Sequence, residues 1–303
     1  MPKGRRYHPK VAETPESAAR PAVESVAAVA DALTRHDYVA DEGLATAIFL
    51  ALRLGRPLLL EGEAGVGKTE VAKVLARWTG GEFLRIQCYE GIDVGQAVYE
   101  WDYSRQLLHL RAAEASGGPI DEDELYSERF LVRRPLLRAL AGGGPVPPVL
   151  LVDEVDRADD EFEAFLLELL SDFQVTIPEI GTIRAQQRPR VILTSNRTRE
   201  LHDALKRRCL YHWIDYPSVE RETEIVSVRV PEASEALAAR IAGAVARLRS
   251  VDLYKRPGIG ESIAWARALE ALGEEDLDET LGVALKVHED VERVRAEGVL
   301  RSA

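Results

Sequence analysis

The sequence predicts an α/β fold: a parallel sheet covered by helices on both faces, followed by a small all-helical domain. Three observations carry this. A glycine-rich loop at residues 62–69 joins an apolar run to an amphipathic helix. Short apolar runs alternate with helical stretches as far as residue 217. Beyond that point the strand signal fades, and residues 219–303 are rich in Ala, Leu, Glu and Arg.

Taken in order, residues 1–20 are polar, with three prolines and scattered charge, and read as a mobile tail. Residues 22–34 are rich in Ala and Val and predict a helix. Asp41 is the expected N-cap of a second helix running through Leu54, with Gly55 as its stop. Pro57-Leu58-Leu59-Leu60 reads as a buried strand. After the loop, Val71, Val74, Leu75 and Trp78 recur at i, i+3, i+4, i+7, one face of a helix.

Further strands are expected at Phe83-Leu84-Arg85-Ile86, Val149-Leu150-Leu151-Val152, Val191-Ile192-Leu193-Thr194 and His212-Trp213-Ile214-Asp215. Residues 159–173 carry Phe162, Phe165, Leu166, Leu169 and Leu170 on one helical stripe. This alternation argues for a parallel sheet with both faces covered. Two segments break it. Residues 175–185 read as a β-hairpin turning at Gly181. Residues 96–130 are charged, with glycines near Ser116. The expected units are therefore the tail at 1–20, an α/β domain at 21–217 and a helical domain at 218–303. No internal repeat is visible.

Composition narrows the function classes. The chain has 303 residues, 46% hydrophobic and 30% charged, which suits a globular protein with a sizeable core. Its formal net charge of −12 argues against nucleic acid as the main partner, although a local basic face is compatible with an acidic total. Cys88 and Cys209 lie far apart without metal-ligand spacing and fit a reducing interior, with neither expected as a nucleophile or in a disulfide. The longest uncharged apolar runs reach about eight residues, short of the roughly 20 a membrane helix needs. No uninterrupted apolar core follows the basic N-terminal residues, so no signal peptide is expected and the cytoplasm is the expected location.

The chemistry begins at Gly62-Glu63-Ala64-Gly65-Val66-Gly67-Lys68-Thr69, which matches G-x-x-x-x-G-K-[ST] without departure. Glycines let backbone N–H groups turn inward around phosphates, and the following helix N-terminus adds its dipole. Lys68 reaches β and γ phosphates, and Thr69 offers a hydroxyl to Mg²⁺. Residues 62–69 together with Glu70 are the candidate nucleotide-binding residues, ATP with Mg²⁺ being the expected cofactors.

The motif alone does not say what the nucleotide is for. Asp153 and Glu154 follow the Val149 strand, and in a doubly wound sheet such strand-end acids face the ligand crevice. Asp153 suits the metal, alongside Thr69, and Glu154 suits the polarising of a water. The bland alternative is a pair of solvated acids. An activated water points to hydrolysis rather than to phosphate transfer. No Asn-Lys-x-Asp guanine-reading motif and no Leu-Ser-Gly-Gly signature occurs, which disfavours a GTPase and a transporter ATPase. Asn196 ends the Val191 strand. If that strand lies between the other two, Asn196 sits near the γ-phosphate and orients the water; otherwise it belongs to an ordinary strand-end turn. Arg207 and Arg208 are either a solvated basic helix end or a source of charge delivered to a neighbouring subunit's γ-phosphate.

These pieces, in this order, resemble the AAA+ ATPases. Residues 62–69 match their Walker A motif, residues 149–154 their Walker B motif, Asn196 their sensor 1, and Arg207 with Arg208 the place of their arginine finger, Arg208 being favoured. The resemblance implies the αβα sandwich of P-loop NTPases with a helical lid, and a hexameric ring binding nucleotide between subunits. Arg85-Ile86-Gln87-Cys88-Tyr89-Glu90-Gly91, the segment to Phe130, the hairpin and Ile214-Asp215-Tyr216-Pro217 are similar to the MoxR branch. Tyr99-Glu100-Trp101-Asp102-Tyr103 and Cys209-Leu210-Tyr211-His212-Trp213 are most similar to its CoxD type.

That branch implies a helix-2 insert at 96–130 and a hairpin before sensor 1 at 175–185, both able to touch substrate proteins. It also implies a partner carrying a von Willebrand factor A domain. The expected role is maturing or remodelling a client metalloenzyme, such as a molybdenum-containing carbon monoxide dehydrogenase. A nucleic-acid motor or clamp loader, and a non-hydrolysing nucleotide switch, are the alternatives. One departure stands out. Many MoxR-type lids carry a Pro-Arg pair whose arginine is sensor 2. Here the stretch reads Pro257-Gly258-Ile259-Gly260-Glu261-Ser262, leaving Arg256 and Arg267 as nearby cations.

Overall fold

The computed structural model describes residues 23–116, 122–273 and 276–300. The expected tail at 1–20 lies outside these residues, as does the glycine-bearing part of the 96–130 segment.

The chain opens with α1 (Val26–Thr34) and α2 (Glu42–Leu54). Ser25 caps α1 by accepting from Ala28 N–H at 3.1 Å. Asp41 caps α2 by accepting from Leu44 N–H at 2.6 Å, and Gly55 ends it in the left-handed region, as the sequence led us to expect. Next come β1 (Leu58–Gly62), α3 (Lys68–Thr79) and β2 (Phe83–Gln87).

The irregular 96–130 segment has structure of its own. It is built from α4 (Val94–Val98), β3 (Tyr99–Trp101), α5 (Tyr103–Ser116), α6 (Glu122–Leu125) and β4 (Leu131–Arg133). β3 and β4 pair antiparallel, and Trp101 meets Tyr126 edge-on at 5.4 Å. α7 (Pro135–Ala141) and β5 (Val149–Asp153) follow, then α8 (Asp160–Asp172) and the expected hairpin of β6 (Gln174–Ile177) and β7 (Gly181–Arg184). β8 (Arg190–Ser195), α9 (Asp203–Arg208) and β9 (Leu210–Ile214) complete the α/β part.

Five strands form one parallel sheet in the order β2-β5-β8-β1-β9. Their side chains alternate between two cores. Leu59, Leu84, Leu150, Val152 and Leu193 face α7, α8 and α9, while Leu58, Leu60, Leu151 and Ile192 face α1, α2 and α3. Burial on both faces explains why these strands read as continuous apolar runs rather than as alternation. The change to helix falls between Ile214 and Val219. α10 (Val219–Arg229), α11 (Glu235–Ser250), α12 (Ile259–Leu272), α13 (Leu281–Ala284) and α14 (His288–Glu297) then pack around a separate apolar core centred on the fully buried Trp265.

Candidate functional site

β8 lies between β5 and β1, so the ends of these three strands stand side by side. This is the order under which Asn196 approaches the loop. A cleft of about 420 Å³ opens there, lined by residues of the 64–70 loop and helix start, Asp153, Glu154, Thr194 and Asn196, and by parts of the N-terminal and C-terminal helices.

The loop turns tightly because it can. Gly62 lies so close to β9 that an added Cβ would meet the Ile214 carbonyl oxygen at 2.0 Å. Lys68, 6% exposed, folds back so that Nζ donates to the carbonyls of Gly62 and Glu63, both at 2.7 Å. Burial holds its pKa below the ordinary lysine value, opposed by the charges of Asp156, Glu63, Asp153 and Glu154.

Asp153 is the hub. Its Oδ1 accepts from the hydroxyls of Thr69 at 3.0 Å and Thr194 at 2.6 Å. Its Oδ2 accepts from Arg85 through Nε at 2.9 Å and a terminal nitrogen at 2.6 Å. At 2% exposure this carboxylate is fully partnered, as a buried charge must be. The hydroxyl of Thr69 beside a carboxylate oxygen is the hard-oxygen donor set that Mg²⁺ selects, so Thr69 and Asp153 fit as the residues that would hold it.

Glu154 begins the turn after β5 in the left-handed region, φ 53°. A non-glycine residue there is uncommon and clusters at functional sites. Its N–H donates to the Thr194 hydroxyl at 2.9 Å, which ties the turn to β8. Its carboxylate accepts from Arg157 at 3.2 Å and faces the same cleft as Asn196. Glu70, in the first turn of α3, is approached by Arg77 at 3.0 Å, Lys73 at 3.4 Å and Arg229 of α10 at 3.8 Å.

Arg207 and Arg208 do not line this cleft. Both sit in the last turn of α9. Arg208 Nε donates to the Ser171 hydroxyl at 2.7 Å, whereas the Arg207 side chain is 82% exposed and only 3.9 Å from Asp203. Arg56 donates to the carbonyls of Arg207, Arg208 and Cys209, which fixes where α9 ends.

The C-terminal helices close the other side. Ile259 N–H donates to the Gly65 carbonyl at 2.9 Å, and Ile259, Gly260 and Glu261 line the cleft. Arg256 and Arg267 do not line it; Arg267 instead donates to the Arg229 carbonyl at 3.2 Å. The cations that reach the cleft from this region are Arg221 and Arg229, both on α10. Sequence reasoning missed these two, as it missed Arg85 and Thr194 around Asp153 and Asp156 beside Asn196. Tyr38, also missed, lines the cleft near Gly67, and burial raises its phenol pKa above the ordinary value. Asp156 had a signal, being a third acid directly after the strand. Arg221 and Arg229 had none beyond being charges on a helix.

Chemically, the arrangement offers loop N–H groups and Lys68 for phosphates, a fixed hydroxyl–carboxylate pair for a cation, and an acid and an amide facing one cleft. A family model described as AAA domain (dynein-related subfamily) matches residues 57–209. Three solved RuvB point mutants from Thermotoga maritima are similar in structure. Two of them are 19% identical with a TM-score of 0.46, covering 80% of this chain and 66% of their own. The third is 18% identical with a TM-score of 0.47, covering 88% of this chain and 72% of its own. The chain thus spans just under two thirds of the length of the first two. Among the described residues, no helix is long and apolar enough to cross a membrane.

Proposed function

Because the chain belongs to the AAA domain (dynein-related subfamily) family, we propose that it binds ATP with Mg²⁺ and hydrolyses it to ADP and phosphate. The single observation that carries this reading is the junction of Thr69 and Asp153 beneath the loop, with Glu154 and Asn196 facing the same cleft. Bound Mg²⁺ supplies positive charge to the phosphate oxygens. The N–H groups of residues 62–69 and Lys68 hold the phosphates. The Glu154 carboxylate takes a proton from a water molecule as the water oxygen bonds the γ-phosphorus. The bond to the β–γ bridging oxygen breaks, and ADP leaves. The Asn196 amide orients the water.

In this reading the active form is a ring, hexameric by the resemblance of its motifs, with residues 21–217 as the nucleotide-binding domain and 218–303 as its lid. Arg208 or Arg207 completes a neighbour's site in trans. The sequence similarity to the CoxD type of MoxR proteins supports a chaperone role in this reading: a cytoplasmic machine that remodels or matures a client metalloenzyme together with a von Willebrand factor A partner. The 96–130 segment suits contact with such a client, since Tyr103 and Leu108 on α5 are 68% and 66% exposed.

Two measurements test this. Steady-state phosphate release from ATP is expected for the wild type and is abolished in Glu154→Gln, while ATP binding persists. Turnover retained by Glu154→Gln removes that residue from its role. The same variant, used as a trap in cells, is expected to capture a metalloenzyme and a von Willebrand factor A protein. Capture of neither rejects the chaperone assignment and leaves the ATPase standing.

A further inference from the structure

We propose that Asp156 is a positioning residue for hydrolysis: it fixes the Asn196 turn against the Glu154 turn. The inference rests on the ATPase reading above. Asp156 lies in the short 3-10 turn Val155–Arg157 and is 1% exposed. Its Oδ2 accepts from three donors of the turn after β8: Asn196 N–H at 3.2 Å, Thr198 N–H at 2.8 Å and the Thr198 hydroxyl at 2.8 Å. The Thr198 hydroxyl is also 3.2 Å from the Asp156 carbonyl.

Neither turn is self-sufficient. Glu154 and Arg197 both have positive φ, 53° and 57°, so both backbones occupy a region that side-chain-bearing residues disfavour. Such conformations persist where surrounding contacts over-determine them. For residues 196–198 those contacts come from Asp156, with help from the Ser195 hydroxyl, which accepts from Arg197 N–H at 3.0 Å. One carboxylate thereby links the residue assigned to activate water with the residue assigned to orient it. Asp156 touches neither phosphate nor water in this scheme; it acts through the main chain of Asn196. Its second oxygen, Oδ1, is buried without a hydrogen-bond partner among the described residues, so the geometry rather than full satisfaction of the carboxylate accounts for its place.

An asparagine here keeps an oxygen for the same three donors, which separates geometry from charge. Asp156→Ala is expected to lower kcat by about 10²-fold, the scale on which misplacement of a catalytic group by about an ångström acts. Fluorescent ADP affinity and KM for ATP should stay within about threefold, a split that general loss of structure does not give. Asp156→Asn should recover about tenfold or more of the loss. Asp156→Ala combined with Asn196→Ala should be no slower than Asn196→Ala alone, because both remove one function.

A wild-type kcat in Asp156→Ala, an Asp156→Asn as slow as the alanine variant, or multiplicative losses in the double variant each overturns the inference. If Asp156→Ala fails to fold, Thr198→Val removes one of the three donors on an exposed residue. It should lower kcat at unchanged nucleotide affinity, and a wild-type kcat there overturns the inference equally. Asn196→Ala with full turnover fails differently: it removes Asn196 from the reaction, and the site reading falls with the inference.

Discussion

Gly258 and Gly65 touch through their main chains. A Cβ added to Gly258 would meet the Gly65 Cα at 2.7 Å and its carbonyl oxygen at 2.9 Å. The adjoining Ile259 N–H donates to that same carbonyl at 2.9 Å. The C-terminal helices therefore rest on the phosphate loop through backbone, at the stretch where no arginine stands. The backbone of Gly258 is extended, so alanine there is conformationally permitted and its penalty is purely steric. Overpacking of this kind costs about 1–3 kcal/mol, which is about 5- to 150-fold in the docking equilibrium. Gly258→Ala should speed amide exchange at Ile259 and weaken nucleotide binding by a comparable factor. Gly282→Ala on α13 is the control, since nothing lies within 4 Å of its added methyl and it does not line the cleft. Equal exchange in Gly258→Ala and wild type would show that the contact holds nothing.

Arg207 and Arg208 stand away from their own chain's cleft, so a role in hydrolysis has to be exerted on another subunit. Arg208→Ala should lower turnover about 10³-fold or more, in line with other arginine fingers, without loss of nucleotide binding. Mixed rings of Arg208→Ala and Lys68→Ala subunits should regain activity, because each variant supplies what the other lacks. The tether of Arg208 to Ser171 and the high exposure of Arg207 make the separate Arg207→Ala variant informative. Wild-type turnover when Arg207→Ala and Arg208→Ala are combined would end the trans mechanism.

Cys88 is fully buried and Cys209 nearly so, and burial pushes both thiols up to about 12 from an ordinary 9.0. For Cys88 the charges of Asp153, Asp156 and Glu154 add to this; for Cys209, Arg56 and Arg208 oppose it. The folded state thus favours the neutral thiol. Its stabilising contribution is complete below about pH 9 and is lost as pH rises toward 12. At pH 8 a disulfide reagent should label neither thiol in the native protein, and both in denaturant. Rapid native labelling of either would contradict the burial.

The phosphate loop and the acids at 153–154 were legible because their signals are local: a glycine pattern between strand and helix, and polarity starting where an apolar run stops. The place of Asn196 depended on sheet order, which the sequence leaves conditional and the β5-β8-β1 order resolves. Arg85 was not legible as a partner of Asp153. Its strand neighbour is Leu151, and the contact exists because β2 and β5 align Gln87 with Asp153. The β3–β4 pair joins Tyr99 to Arg133, far apart in sequence and in strands too short to show a period of two. Arg221 and Arg229 reach the cleft through the packing of α10 near α3, marked by the 3.8 Å approach of Arg229 to Glu70. The cleft's cations thus come from α10, whereas Arg256 and Arg267 on either side of the Pro257 stretch stay outside it.

Glu222 and Arg249 hold the C-terminal helices to that junction. Arg249 donates to both carboxylate oxygens of Glu222, at 2.5 and 2.9 Å, and Ser262 donates to one of them at 2.5 Å. The Arg249 side chain is 8% exposed and that of Glu222 0%. Arg249 also donates to the Pro257 carbonyl at 2.8 Å and lies 4.3 Å from the centre of the Tyr216 ring. The pair thus joins α10, α11 and α12 to the segment leading out of β9 and to the residue preceding Gly258. Removing one partner of such a pair strands a buried charge, at a cost of about 3–5 kcal/mol. Glu222→Ala should therefore give a separate low-temperature transition in calorimetry, with the sheet domain melting near its original temperature. Nucleotide affinity should fall with it, since the Gly65–Gly258 contact depends on the same junction. A single unshifted transition would mean that the apolar core around Trp265 holds these helices unaided, and that the ion pair serves orientation alone.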